Sequence, residues 1–597
     1  MQGRFQKLLK LHSIAFVLLT TSAIFGSLLI TSYNAWDFFN GLMNLSVIGS
    51  YADFLNWFPN WGAWLFFGLI VIKISCFFLL IKAFLKELNK WRLEPLSTQH
   101  IDLKPDFIKG IGWVISLLFV YILGWFILKN HVVGNDRSLE LRIFFSRGFV
   151  IQLLLHCLYY ISLNRFSIKS FSFAYLFEPT APYSLAILRF LFFGYLTFIY
   201  SAKLLTILPV VGLDHRESLP FIGWLVHSLP INPDLYSVVA CVGIISAIFV
   251  MVGWKTSFFL GLNAITIFYV MATPNFFGKL WHEQIVIWIS WAMALSKPSK
   301  VWSIDAFLKE RDKRHSGNNT WPIRLIWLHF GLIYFWAGFY KIWDAGFDWA
   351  LSDSMINQVQ LEWLQNYDKV PSMRLDHYPV LLHVGGVLVI LFELLFPFLI
   401  LIKSWRWIAF TGGLIMHNLL GYFLYISFLH MLQVFYAFFI NFNWLKRSNQ
   451  PVVIDPIQRN WQVKAGLLML IINLFHGMFN INSYPFSAYP KYSALIPSTV
   501  EFIRFNSKKD GIDTFEEAKV SGFRWEDYGW IENAIINNYH DGKSVQEDVN
   551  TYWDMWKSKI NSLDSCKIVV VELCERKVAP EGKNQVVVLD TLTILTD

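Results

Sequence analysis

The stretch LIYFWAGFYK, residues 332–341, is the most informative part of this sequence. Nine uncharged residues lead to Lys341, and Asp344 follows it closely. Extended back to residue 323, the apolar run approaches the length of about 20 residues that a helix needs to cross a bilayer. A membrane helix rarely carries a lysine among aromatic residues, because an unpaired ammonium is costly in hydrocarbon. The run therefore predicts a membrane-spanning helix with an ionisable group at its end.

The composition of the whole chain also indicates a membrane protein. Hydrophobic residues make up 55% of the 597 residues and charged residues only 15%, against about 25% in soluble domains. A soluble fold cannot hide so much apolar surface, whereas helices packed in lipid do not need to hide it. We interpret the formal net charge of +8 as a signal of membrane topology and not of nucleic-acid binding.

Apolar runs long enough to span a membrane recur along the chain. They predict an all-α polytopic membrane protein with about thirteen transmembrane helices. The runs lie near residues 12–31, 62–83, 108–128, 147–163, 184–207, 236–253, 256–272, 282–297, 323–341, 380–402, 406–425, 428–444 and 464–482. We expect the first run to be a retained helix, since no convincing signal-peptide cleavage site follows it.

Basic residues in the loops predict the orientation of these helices. With the N-terminus in the cytoplasm, the basic clusters at 82–92 and 309–314 fall on the inner side, where positively charged loops are expected. An odd number of helices then puts the C-terminal tail on the other side. We expect an integral protein of a bacterial inner membrane, with Lys341 and residues 275–282 near its extracytoplasmic face.

Three domains are predicted. Residues 1–175 form a four-helix membrane unit without a recognisable site, residues 176–482 form the transmembrane domain with the intramembrane charges, and residues 483–597 form a small extracytoplasmic α+β domain. The elements predicted in this last domain are a strand at 500–505, helices near 526–538 and 544–561, and a hairpin with strands at 567–573 and 585–594.

Two polar residues on the predicted outer side are candidates for chemistry, and each has a structural alternative. A lysine at a helix end commonly extends its ammonium towards water, which is called snorkelling. A lysine held in a dry environment can instead lose its proton and act as a base near neutral pH, which is the functional interpretation of Lys341. His282, in the run KLWHEQ at 279–284, starts another predicted helix, where packing or capping is the alternative.

Further polar residues are predicted inside the membrane. His417 lies deep in a helix, and histidines in this position usually face the interior of the bundle. Arg189 and Glu393 are also intramembrane, and an Arg–Glu pair that holds the helices together is the simplest explanation of both. His383 lies near the outer start of its helix and fits either a structural or a functional role.

Several common motifs are absent from the sequence. It contains no P-loop, no G-x-G-x-x-G before a helix, no C-x-x-C pair and no H-E-x-x-H. Phosphate-driven transport, Rossmann redox chemistry and zinc hydrolysis therefore have no support, and no metal site is predicted. The paired, interrupted helices of inverted-repeat transporters are not evident either.

The residues around Lys341 resemble those of vitamin K-dependent γ-glutamyl carboxylases, within the wider HTTM membrane-protein family. The segment YFWAGFYK, residues 334–341, with Asp344 and Trp349 after it, is similar to the Y-F-x-A-G-x-x-K segment that carries the catalytic lysine of these enzymes. His282 stands twenty residues before WSID, residues 302–305, as the histidine and the W-S-x-D motif do in the family.

Three shorter segments extend the resemblance to about residues 180–445. They are H-x-G-G at 383–386, His417 with the asparagine after it, and L-A-x-x-R at 185–189. Each motif alone is weak, and the order and spacing of all of them carry the resemblance.

The resemblance implies a fold, a reaction and a set of site residues. In these enzymes a neutral lysine deprotonates reduced vitamin K, a naphthoquinol, and O2 converts the quinol to an epoxide. The strong base that forms on the way removes a γ-proton from a peptide glutamate, and the carbanion captures CO2. This is carbon–carbon lyase chemistry. The implied catalytic residues here are Lys341, His282 and His417, the implied quinone-binding residues are His383, Tyr334 and Trp281, and the structural charges are Arg189 and Glu393.

The implied partners are the lipid bilayer, a membrane quinol and a glutamate-containing peptide or secreted protein, with no nucleic acid. Two other functions stay open at this point. The long luminal region with which the animal enzymes bind their propeptide is replaced here by a tail of 115 residues. One alternative is therefore an HTTM protein that matures or exports a secreted peptide without carboxylating it. The other is a transporter.

Overall fold

A computed structural model describes most of the chain from residue 107 onwards. The described ranges, which contain a few gaps of one or two residues, are 107–131, 135–163, 176–207, 229–272, 284–308, 315–365, 370–401, 405–425, 436–442, 454–455, 461–487, 493–507, 535–553, 568–577 and 587–596. Within them the protein is mostly helical, with a three-stranded sheet near the C-terminus. The helices predicted at 12–31 and 62–83 lie outside these ranges.

The chain divides into two compact units. The first comprises Met1–Ala174 together with Ile342–Asp348, and the second comprises Tyr175–Lys341 together with Trp349–Asp597. Residues 176–482, apart from Ile342–Asp348, and the C-terminal sheet belong to the same second unit, so the division into three domains stays a prediction.

The described helices of the first unit are α1 (Phe107–His131) and α2 (Asn135–Leu163), which pack on each other through aromatic side chains. The rings of Tyr121 and Phe145 stack with their centroids 4.6 Å apart. Gly124 makes this approach possible, because a Cβ at Gly124 would lie 2.4 Å from Cζ of Phe145.

The segment Ile342–Asp348 is held within the first unit by polar contacts to these two helices. Asp348 is buried, and it accepts hydrogen bonds from Trp125 Nε1 at 2.9 Å and from Arg142 Nε at 2.9 Å. Arg147 Nε donates to the backbone oxygen of Trp343 at 2.7 Å. A buried carboxylate is tolerated only with such partners, so this segment depends on α1 and α2.

The second unit contains the remaining elements. Its helices are α3 (Tyr183–Ile207), α4 (Pro233–Val252), α5 (Thr256–Ala272), α6 (Gln284–Ala294), α7 (Ile304–Leu308), α8 (Trp321–Ala345, up to Lys341), α9 (Asp348–Leu351, from Trp349), α10 (Ser354–Gln365), α11 (Pro379–Leu401), α12 (Arg406–Phe423) and α13 (Trp461–Met478). Its strands are β1 (His315–Ser316), β2 (Ile454–Asp455), β3 (Thr499–Ser507), β4 (Ile568–Lys577) and β5 (Val587–Thr596).

Four helices in the described ranges are long and apolar enough to cross a membrane. They are Tyr183–Leu204, Pro233–Val252, Trp321–Ala345 and Pro379–Leu401. Shorter apolar helices accompany them at Val114–Asn130, Thr256–Ala272 and Gln284–Ala294. These helices favour association with a membrane. The predicted total of thirteen spans is not confirmed by the described residues.

Local sequence signals explain the ends of α4. The Asn232 side chain accepts a hydrogen bond from the backbone N–H of Leu235 at 2.8 Å, and Pro233 occupies the first helical position. Gly253 ends the helix in the left-handed conformation, with φ of 76°. Deeper in the bundle, buried Asn263 on α5 donates to Ser246 on α4 and accepts from Ser290 on α6, so one side chain connects three helices.

The C-terminal sheet confirms the predicted strand at 500–505 and the predicted hairpin. Its order is β3-β4-β5, and both neighbouring pairs are antiparallel. Val571, Leu573 and Cys574 of the central strand are buried, and the pairing with β5 is irregular between Leu573 and Cys574. Residues 535–540 are helical and overlap the end of the predicted helix near 526–538. In the region predicted as a helix near 544–561, residues 546, 549–550 and 552–553 are helical, whereas residues 544–545 are not. The other residues of both regions lie outside the described ranges.

Candidate functional site

One face of α8 forms a close contact with α11. Gly331, Tyr334, Gly338 and Lys341 share this face, because intervals of three and four residues return to the same side of a helix. A Cβ at Gly338 would lie 2.8 Å from Cβ of Glu393 and 3.1 Å from the backbone nitrogen of Leu394. Glycine at this position therefore lets the two helix backbones approach, one turn before Lys341.

Lys341 and Glu393 form a buried ion pair at this contact. Lys341 Nζ donates to Glu393 Oε1 at 2.9 Å and to Oε2 at 2.8 Å, and the two residues are 5% and 7% exposed. The ammonium also lies over the ring of Trp349, 5.2 Å from its centroid. α8 continues to Ala345, so Lys341 lies inside the helix and not at its end. The side chain does not snorkel, because it points to Glu393.

The predicted pairing of Arg189 with Glu393 is wrong, since Glu393 is bound by Lys341. Arg189 is buried and donates from Nη2 to the backbone oxygen of Trp302 at 2.5 Å. Gly253 lies directly against its guanidinium, since a Cβ there would be 1.8 Å from Nη1 of Arg189. Arg189 therefore binds the W-S-x-D segment instead of a carboxylate on α11.

The W-S-x-D segment itself caps a helix. The Asp305 carboxylate accepts hydrogen bonds from the backbone nitrogens of Lys255 and Thr256, both at 2.9 Å, and from Oγ1 of Thr256 at 2.6 Å. These donors belong to the N-terminus of α5, whose free N–H groups need such acceptors. The L-A-x-x-R and W-S-x-D motifs therefore meet in one structural contact between α3, the start of α5 and α7.

We expect Asp305→Ala to lower the free energy of unfolding by about 1–2 kcal/mol, the usual range for loss of a helix cap. The three bonds to the start of α5 are lost together. Thermal unfolding of the purified protein in detergent measures the change. Asp305→Asn is the control, because its side-chain oxygen still accepts one of the bonds. Equal melting temperatures for the alanine variant and the wild type would contradict the capping role.

A second polar group lies two turns away from Lys341 on the same face of α8. The Tyr334 hydroxyl and Nε2 of His417, on α12, are 2.6 Å apart, and the hydroxyls of Tyr334 and Tyr436 are also hydrogen-bonded. The ring of Tyr334 stacks on Phe396 of α11, with centroids 4.1 Å apart. Seven residues correspond to about 10.5 Å along a helix, so this group and the Lys341–Glu393 pair are neighbours along one helix contact.

His383 anchors the region around Trp349. Its Nδ1–H donates to the backbone oxygen of Ala350 at 2.8 Å. Gly386, one turn later, packs on the same alanine, since a Cβ there would lie 3.0 Å from Cβ of Ala350. The H-x-G-G segment thus holds the residue next to Trp349, whose ring lies over the Lys341 ammonium. A role of His383 in binding a quinone stays a prediction.

Two predicted site residues, His282 and Trp281, lie outside the described ranges, and α6 begins at Gln284. Their roles stay predictions.

Residues that the sequence did not single out also contribute to the polar group at Tyr334. Tyr436 belongs to a predicted span without a motif, and nothing in its local sequence indicates that it meets Tyr334.

The opposite side of α8 carries a second buried polar cluster that the sequence analysis missed. His329 stacks near Trp288 of α6, and its Nδ1 lies 3.3 Å from Nδ2 of Asn473 on α13. Tyr340 donates to the backbone oxygen of Gly477, one turn after Asn473, at 2.6 Å. The available signal was the presence of a histidine and an asparagine inside apolar runs. α8 therefore packs against α11 on one side and against α6 and α13 on the other.

Comparison with known proteins gives one match. A family model described as the HTTM domain matches residues 177–444, a little under half of the chain. This range contains α3 to α12, with Lys341, Glu393, Tyr334, His417 and both motifs of the structural contact at Asp305. No curated protein and no solved structure shows a significant match to the chain.

Proposed function

We propose that the protein, whose residues 177–444 match the HTTM-domain model, is a membrane enzyme that oxidises a reduced naphthoquinone to its epoxide and couples this to carboxylation of a peptide glutamate. HTTM domains occur in vitamin K-dependent carboxylase-like membrane proteins. The observation that carries the proposal is the buried Lys341, paired with Glu393 and covered by Trp349.

The chemistry of the substrates suits this environment. A naphthoquinol is apolar and reaches the protein through the lipid, so its base should lie in an apolar helix bundle. Lys341 supplies a titratable nitrogen there, and its dry, aromatic surroundings protect a carbanion from water. Two turns along α8, the hydroxyls of Tyr334 and Tyr436 and the ring of His417 can orient a quinone oxygen.

The substrates and the topology belong to the same proposal. The quinol, O2 and CO2 are consumed in each turnover, and a glutamate-containing peptide receives the carboxyl group. His282 and Trp281 are proposed to contact the quinone, on the strength of the family resemblance. The proposed topology has thirteen spans in a bacterial inner membrane. Its N-terminus is cytoplasmic, and its C-terminal domain is extracytoplasmic.

Epoxide formation by the purified protein tests the oxidation step. We expect product from a short-chain reduced 1,4-naphthoquinone and O2, detected by chromatography. Lys341→Arg should lower the rate by about 100-fold or more, the usual contribution of a positioned base. Arginine still pairs with Glu393 but cannot give up its proton, so the loss would reflect chemistry. A Lys341→Arg variant as fast as the wild type would refute Lys341 as the base.

Carboxylation needs a separate measurement. We expect labelled CO2 to enter a glutamate-containing peptide only when quinol and O2 are both present. Epoxide without labelled peptide would restrict the proposal to a quinol epoxidase. A wild-type protein that forms neither product would refute the proposed function. Peptide maturation or export would then be the better explanation of the match to the HTTM domain.

A further inference from the structure

We propose that Glu393 is a positioning residue that accepts the proton of Lys341 and so makes Lys341 available as a base without exchange with solvent. This inference rests on the proposed quinol oxidation. It assigns a function to Glu393, which was predicted from the sequence to be a structural charge.

The geometry provides a direct path for the proton. Both carboxylate oxygens of Glu393 are within hydrogen-bond distance of Nζ, at 2.9 and 2.8 Å. This is the arrangement of an ammonium with a carboxylate. An ammonium has no lone pair, so Lys341 cannot act as a base in this state. Because both groups are buried, the proton leaves Nζ most directly by moving to Glu393.

The proposed transfer conserves atoms and charge. First, the N–H bond of the Lys341 ammonium breaks and an O–H bond forms on Glu393, which gives a neutral amine beside a neutral carboxylic acid. The amine lone pair then takes the hydroxyl proton of the quinol, and the electron pair of that O–H bond stays on the quinol oxygen. The products are an ammonium, a carboxylic acid and a quinol anion, and the net charge is zero before and after.

The number of buried charges explains the advantage of this route. With Glu393 present, one cation and one anion exist before the transfer and one of each exists after it. The negative charge only moves from the carboxylate to the quinol oxygen. Without Glu393, a neutral amine and a neutral quinol would have to create both charges in a low-dielectric site, where isolated charges are costly.

Other titratable groups near the pair have partners of their own. Tyr334 lies on the same face of α8 as Lys341. Its hydroxyl contacts His417 from α12 and Tyr436. None of these groups is hydrogen-bonded to Lys341 in the described part of the chain, whereas Glu393 contacts Nζ with both oxygens.

The pH dependence of epoxide formation distinguishes this role from a structural one. We expect the wild-type kcat for a short-chain reduced 1,4-naphthoquinone to be flat between about pH 6 and pH 8, because the Lys341–Glu393 pair is neutral overall wherever its proton lies. Glu393→Gln should lower kcat by about tenfold or more and leave KM within twofold. Its remaining rate should rise with pH, because Lys341 must then lose its proton to solvent.

Glu393→Asp is the matched variant, because it keeps a carboxylate and should restore the flat profile at a reduced rate. A Glu393→Gln rate equal to or above that of the wild type would overturn the proposal. So would a loss that follows only the amount of folded protein, with an unchanged pH profile. If the glutamine variant does not fold, the wild-type profile decides, since a rate that climbs with pH contradicts internal proton transfer. Wild-type protein that forms no epoxide would instead refute the proposed function, and this inference with it.

Discussion

Lys341→Met on its own is expected to lower the free energy of unfolding by about 3–5 kcal/mol, the range measured when one partner of a buried ion pair is removed. The variant leaves the carboxylate of Glu393 buried between α8 and α11 without its hydrogen-bond donor. The double variant Lys341→Met with Glu393→Leu should recover most of this loss, because replacing a buried pair by apolar side chains is often neutral. Thermal and denaturant unfolding in detergent measure both changes.

An exposed ion pair near the C-terminal sheet in sequence provides the control. Lys543 and Asp541 are 2.8 Å apart, with side chains 60% and 61% exposed. Lys543→Met should leave the stability unchanged, because exposed pairs contribute little. If Lys341→Met is equally harmless, the pair is not buried as described. This prediction affects the choice of variant for activity assays. A loss of activity in Lys341→Met could result from unfolding as well as from loss of the base.

Gly338→Ala is expected to disturb both the stability and the site. The new methyl group would lie 2.8 Å from Cβ of Glu393, 3.1 Å from the backbone nitrogen of Leu394 and 3.3 Å from the backbone oxygen of Ile390. Two of these atoms belong to the α11 backbone and cannot rotate away. Overpacking of this kind costs about 1–3 kcal/mol, and separation of the helices would lengthen the contact of Lys341 with Glu393. Unfolding and epoxide assays measure the two effects.

Gly385→Ala is the matched control for this substitution. Gly385 lies on α11, and a Cβ there would have no neighbour within 4 Å. Alanine at such an open helical position should leave the stability unchanged or raise it by about 0.4–1 kcal/mol. Similar losses for the two alanine variants would show that close packing of α8 and α11 is not what Gly338 provides.

The positions of several apolar helices could be predicted from the sequence, because hydrophobic runs depend only on local composition. Helices occupy the predicted runs at 184–207, 236–253 and 380–402 with ends shifted by a few residues. The run that ends at Lys341 continues as helix to Ala345. The hairpin of the C-terminal domain was predictable for the same local reason.

The partners of the charged residues could not be predicted in this way. Glu393 was predicted to pair with Arg189 but pairs with Lys341, and its partner depends on which faces of α8 and α11 meet. That orientation is fixed by glycines and aromatic rings whose contacts are distant in sequence, such as Gly338 against Glu393 and Tyr334 against Phe396. Family spacing pointed to Tyr334 and His417, but it contained no information on Tyr436.

The boundary of the family domain is not a boundary of folding. A fragment that begins at residue 176 would contain Lys341 and Glu393 but would lack Trp125 and Arg142, the two residues that satisfy the buried carboxylate of Asp348. The chain enters that segment directly after Lys341. We therefore expect that the first unit cannot be deleted or exchanged without loss of these contacts. Shortened or chimeric versions of this protein need to retain α1 and α2.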